Sequence, residues 1–118
     1  MLTLPIKKKW FDMILSGEKK EEYREIKPYW MSRFDKVFPF SPFDGYPMDG
    51  FENKIMFRNG YSKTSPSFIA KCTLSIGMGK EEWGAEKGKE YFILMVQEIL
   101  KGSDIDGNTE ENTKVADS

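Results

Sequence analysis

Histidine is absent from all 118 residues, and that absence excludes several kinds of chemistry at once. A chain without imidazole cannot build a Ser-His-Asp triad, a Cys-His pair or a His-ligated zinc site. Any catalysis must use Lys, Glu, Asp, Tyr, Ser or Thr, or a metal held by oxygen ligands. Cysteine occurs once, as Cys72, so no disulfide can form within the chain, and a cytoplasmic location is the expectation. No apolar run approaches the roughly 20 residues of a membrane-spanning helix. The opening residues also lack the apolar core and small-residue cleavage site of a signal peptide.

What is present argues for one folded domain. Hydrophobic residues make up 39%, including nine Phe, five Tyr and three Trp, enough for a single core of marginal size. The net charge of −1 conceals an uneven distribution. Ser103 to Ser118 holds five acids (Asp104, Asp106, Glu110, Glu111, Asp117) against Lys114 alone. Residues 1–102 carry 17 bases and 14 acids, a mild positive balance that favours anions without marking a highly basic nucleic-acid protein. The tail lacks aromatics and cannot offset the ~1–2 kcal/mol of backbone ordering each residue requires. The expected organisation is therefore a domain over 1–102 and a disordered acidic tail over 103–118.

Along the chain, Met1 to Leu4 reads as a short strand and Pro5 as a helix entrance, where its missing N–H costs nothing. Ile6, Trp10, Met13 and Ile14 recur at helical spacing, and Gly17 suits a left-handed helix end. Residues 20–26 read as a strand, and Pro28 starts a short helix to about Phe34, with Tyr29, Trp30 and Phe34 as packing residues. Residues 35–53 are too rich in proline and glycine for a regular element; their aromatics suggest an anchored surface loop able to lid a site. Lys54 to Arg58 resumes as a strand, with Asn59-Gly60 as a turn. Phe68, Ala70, Cys72, Leu74 and Ile76 alternate cleanly with more polar residues, and Tyr91 to Val96 is the continuous run of a strand covered on both faces. The fold class is α+β: a small, curved, partly closed β-barrel of five to six strands with one or two N-terminal helices.

One stretch stands out for chemistry. Gly17 is followed by Lys19, Glu22 and Arg24 at offsets of two, five and seven. On a strand, Glu22 and Arg24 share a face about 7 Å apart, and Ile26 falls on that same face. Two charges in register with an apolar residue suggest a partly covered cleft, where such groups persist only when paired or bound. A solvated, mixed-charge edge strand is the plain alternative.

Gly17-x-Lys19-x-x-Glu22-x-Arg24 resembles the GxKxxExR signature of ASCH domains, relatives of the PUA superfamily. The resemblance spans roughly residues 1–101 and includes Phe57-Arg58-Asn59-Gly60-Tyr61 and Glu82-Trp83-Gly84. It implies a PUA-like barrel with a cleft beside the motif helix, proposed in this family to bind RNA or nucleotides. Some members are hydrolases: amidohydrolases of modified cytidine nucleosides, which use a lysine, a threonine and a later glutamate, and metal-assisted ribonucleases. Lys19 matches that lysine, Glu22 stands where the threonine would be, and Phe68 to Cys72 contains no acid.

Around this centre, Arg58, Asn59 and Tyr61 offer a phosphate-pairing cation, a base-reading amide and a stacking ring, or else merely a polar hairpin end. Lys7, Lys8, Lys9, Lys19 and Lys20 form either a basic contact surface or a solvated face. Trp10 packs the helix on the barrel, with one edge available to floor the cleft. Gly77-x-Gly79-Lys80 is either a phosphate cradle or, better, a flexible turn. Asp44, Asp49 and Glu52 do not follow a calcium-loop spacing, so no metal or other cofactor is assigned. Cys72 reads as an inert buried thiol.

The leading expectation is RNA or nucleotide binding: Lys19 and Arg24 hold phosphate or a base edge, with Lys20 and Arg58 as further cations. Glu22 accepts from an exocyclic amine or orients Arg24, Asn59 reads the base and Tyr61 stacks. The rival is a hydrolase with Lys19 and Glu22 as catalytic groups. A third reading is a protein-interaction module, such as a phage-type inhibitor, with Phe38 to Phe51 as its contact surface.

Overall fold

A computed structural model describes residues 1–100; the tail expected over 103–118 lies outside the described residues. Two helices and one five-stranded sheet, curled into a half-barrel, make an α+β fold. The elements run β1 (Leu2–Ile6), α1 (Lys8–Leu15), β2 (Glu21–Glu25), α2 (Pro28–Phe34), β3 (Glu52–Asn59), β4 (Ser67–Met78), a 3-10 turn (Glu81–Trp83) and β5 (Glu90–Ile99). The strand order is β1-β3-β4-β5-β2, with β1 parallel to β3 and the other pairs antiparallel. β1 and β2, which carry or flank the candidate site, are thus the two edges of the sheet.

Pro5 does not open the helix but lies inside β1, opposite Arg58. An edge strand tolerates a residue without an N–H, because only one side of it is paired. α1 consequently starts at Lys8 and buries Phe11 and Ile14, while Ile6 belongs to β1. Gly17 ends α1 as expected, at φ 86°. Its N–H reaches Ile14 O at 3.0 Å, and the Lys19 N–H reaches back to Met13 O at 2.9 Å. This cap turns the chain sharply and aims Lys19 inward.

The main core joins Leu4, Phe11, Ile14, Phe34, Ile55, Phe57, Cys72, Phe92 and Leu94, each contributing about 1.5–3 kcal/mol on full burial of the larger side chains. Burial pushes the Cys72 thiol up to about 12, so it stays protonated and inert. In β5 the unbroken run at 91–94 is covered on both sides for a specific reason. Phe92 and Leu94 face the main core; Tyr91 and Ile93 face a smaller cluster with Ala85 and Tyr23.

That second cluster corrects the reading of Gly77 to Lys80. Gly77 and Met78 are the end of β4, and a Cβ on Gly79 would lie 2.6 Å from the Tyr23 ring and 2.7 Å from Ala85. The Lys80 N–H donates to Tyr23 Oη at 2.9 Å. The segment is a packed joint, neither a flexible turn nor a phosphate cradle.

The long connection before β3 is likewise not a lid. Phe38 is buried in the core, Phe40 packs edge-on against Phe92, and Asn53 Nδ2 donates to Val37 O at 2.7 Å. Apolar attraction draws its aromatics into the core, away from the pocket described next. Its tip remains outside: Phe43 is 97% exposed, with Tyr46, Met48 and Phe51 also exposed. Asp44 closes a local turn by accepting from the Tyr46 N–H at 2.9 Å. Among the described residues no group of three or more His, Cys, Asp or Glu is placed to hold a metal ion. No helix among them is long and apolar enough to cross a membrane.

Candidate functional site

Lys19 is 1% exposed and Glu22 5%, the two buried charged side chains among the described residues. Lys19 Nζ donates to Glu22 Oε1, and Arg24 Nη1 donates to Glu22 Oε2, so one carboxylate is held between two cations. Glu22 and Arg24 share a face of β2, as strand alternation requires. Ile26 does not join them: β2 ends at Glu25, and Ile26 is exposed. Lys19 lies before β2, where the turn after Gly17 breaks the alternation and brings it to Glu22.

Arg24 has a second role. Its Nη1 also donates to Tyr23 O at 2.8 Å, and its Nη2 donates to Pro5 O at 3.1 Å. The last bond links edge strand β2 to edge strand β1, across the open side of the half-barrel. Aromatic faces hold both cations. Lys19 Nζ lies 4.4 Å from the Trp10 ring centroid and Arg24 Cζ lies 5.1 Å from that of Trp30, a contact worth up to about 2 kcal/mol when desolvated.

Removal from water pushes the Lys19 ammonium below its ordinary 10.5; Glu22 opposes the shift and Arg24 adds to it. Burial likewise raises the Tyr23 hydroxyl, whose oxygen accepts from Lys80 while its proton goes to Glu21 at 2.7 Å. Tyr23 therefore serves as a structural pin at the side of the pocket, its ring centroid 5.8 Å from Lys19 Nζ.

The triad lies in an open pocket of about 740 Å³. β1 and the start of α1 contribute Pro5, Ile6, Lys7, Lys8 and Trp10; α2 contributes Tyr29 and Trp30; the end of β3 and its turn contribute Asn59, Gly60 and Tyr61. Tyr23, Trp83, Gly84 and Tyr91 complete the wall. All three tryptophans of the chain line this one pocket. Four cationic residues line it against a single carboxylate, Glu22, and of these the Lys8 ammonium is paired with Asp12 at 2.6 Å. Gly84 is essential to the shape: its φ is 101°, and a Cβ there would meet Trp10 at 3.0 Å.

Of the residues singled out in the sequence, Lys19, Glu22, Arg24, Asn59 and Tyr61 converge on the pocket, with Lys7, Lys8 and Trp10 beside them. Lys20 and Arg58 do not line it. Lys20 is exposed, and its carbonyl pairs with the Val96 N–H at 2.8 Å. Arg58 points to the face of β3 opposite Phe57 and Asn59, where its Nη2 meets Met56 Sδ at 3.8 Å. Period two sets the Arg58 side chain with Met56, on the face away from the side chains of Phe57 and Asn59. Tyr29, expected to pack, is half exposed and lines the pocket instead. Trp30 and Tyr91 as wall residues, and the Pro5 carbonyl, carried no local signal; Trp83-Gly84 stood out only through the family resemblance. No protein-family profile, curated protein or solved structure matches this chain.

Proposed function

We propose that the chain is an ASCH-type, PUA-like module that binds single-stranded RNA or a nucleotide in the pocket around Lys19, Glu22 and Arg24. The observation that carries this reading is the pairing of a net-cationic lining with seven aromatic residues in one concave site. Unpaired bases offer π-faces that stack on aromatics for about 1–3 kcal/mol each, and phosphates pair with the cations. Lys7 at the rim suits phosphate, Tyr61 suits stacking, and the largely buried triad suits a polar base edge. A duplex hides its base faces and would forgo most of these contacts.

Titration of the full chain with a short single-stranded RNA, followed by tryptophan fluorescence at two salt concentrations, tests the reading directly. Binding should quench the emission and weaken as salt rises. The absence of any salt-sensitive affinity for RNA or nucleotides would remove it.

A hydrolase in the same pocket is the second reading, favoured by the lowered proton affinity of Lys19. Lys19 would then act as base and Glu22 would orient water. Incubation with acylated cytidines and with RNA, with and without Mg²⁺, tests it; turnover unchanged by Lys19→Ala would exclude that mechanism. The protein-interaction reading now centres on exposed Phe43 and Tyr46. Because Phe38 is a core residue, its test is Phe43→Ser with Tyr46→Ser rather than deletion of the loop.

A further inference from the structure

The order of groups at the pocket floor is donor, acceptor, donor: Lys19 ammonium, Glu22 carboxylate, Arg24 guanidinium. Each Glu22 oxygen accepts from one cation and keeps a further lone pair. Lys19 has three N–H groups and gives one to Glu22. Arg24 has five and gives three, to Glu22, Tyr23 and Pro5. Trp10 and Trp30 lie against the two cations, so the array is fixed before a ligand arrives.

We infer that this array selects a base whose edge reads acceptor, donor, acceptor: the imide edge of uracil or thymine. The inference rests on the nucleotide-binding reading above and names its base. O2 and O4 of the imide would accept from the Lys19 and Arg24 sides, and N3–H would donate to Glu22. Cytosine presents one donor followed by two acceptors, so with its amine on Glu22 only one cation is satisfied. Adenine presents its amine with one acceptor on either edge, N1 on one and N7 on the other, so a single edge satisfies only one cation. Guanine presents one acceptor and two donors, and its amino group would face a cation. Rejection follows because an unpaired buried donor loses its hydration without replacement. The pocket volume of about 740 Å³ admits a nucleotide together with Tyr61 folded over it, and Tyr61 is 89% exposed and unencumbered by core packing.

Isothermal titration of the full chain with UMP, dTMP, CMP, AMP, GMP and 3-methyluridine 5′-monophosphate tests this. UMP and dTMP should bind about 5- to 150-fold more tightly than the other three natural nucleotides, the range expected for a correctly read base edge. Methylation at N3 removes the central donor and should cause a loss of similar size. CMP, AMP or GMP binding as tightly as UMP, or 3-methyluridine monophosphate binding equally well, would overturn base selection while leaving the pocket reading intact. Failure of every nucleotide and of single-stranded RNA to bind would overturn both. Because the comparison varies the ligand and keeps the native protein, no variant needs to fold.

Discussion

Removing Glu22 and removing Lys19 should have very different consequences, although the two side chains form one ion pair. Lys19, Glu22 and Arg24 together carry one net positive charge. Lys19→Met leaves Glu22 paired with Arg24 and brings the cluster to neutrality. It also removes the most deeply buried ammonium and keeps a flexible apolar chain against Trp10. A swap of this kind, of similar volume, should cost less than about 1.5 kcal/mol. Glu22→Gln preserves shape but leaves the buried Lys19 ammonium and the partly buried Arg24 guanidinium facing one neutral amide, whose NH₂ is a further donor. Breaking a buried network in this way costs about 3–5 kcal/mol. For a domain of this size total stability is about 5–15 kcal/mol, so the loss is a large fraction of the whole. The thermal midpoint should fall by roughly 12 °C or more, at about 4–8 °C per kcal/mol. Urea denaturation followed by tryptophan emission measures both variants with one probe, since every tryptophan lines this pocket. Equal losses, or a greater loss for Lys19→Met, would refute the claim that the carboxylate is the keystone of the cluster.

Lys19 also sets a pH dependence, because its ammonium is held below the 10.5 of an exposed lysine. Between the lowered folded value and 10.5 the unfolded chain binds the extra proton. Stability from this group is therefore lowest under the folded value and rises with pH up to about 10.5. The difference in unfolding free energy between the native chain and Lys19→Met should grow across that window; a flat or falling difference would contradict it. Tyr61→Ala should weaken binding of single-stranded RNA by about 1–3 kcal/mol without moving the thermal midpoint, because a ring 89% exposed holds no core together. Gly84→Ala should cost at least ~1–2 kcal/mol from the left-handed backbone alone and displace Trp10, read as a changed emission spectrum. Lys7→Ala should flatten the salt dependence of RNA binding by about 0.7 in the logarithmic slope, if Lys7 meets one phosphate of the strand.

Local chemistry made much of the scaffold legible. Gly17 as a helix end, Pro28 as a helix start, the alternation from Phe68 to Ile76 and the apolar run at Tyr91 each depend on near neighbours. Pro5 misled because a proline at a helix entrance and one on a sheet edge look alike until strand order is known. The aromatic loop misled for a related reason: its composition announces anchoring, but whether the anchor is the core or a pocket depends on what lies beneath.

The sequence by itself determined that Glu22 and Arg24 share a face, because a strand alternates with period two whatever surrounds it. It equally determined that imidazole chemistry is excluded. Tertiary structure alone decided that Lys19 joins them, since the turn after Gly17 breaks the alternation, and that Lys20 and Arg58 do not line the pocket. Tertiary structure also gathered Trp10, Trp30 and Trp83 from three separate segments and set the Pro5 carbonyl beneath Arg24. The pocket wall draws on residues as far apart in the chain as Pro5 and Tyr91, and no pattern of neighbours along a chain encodes which distant surfaces a curled sheet brings together.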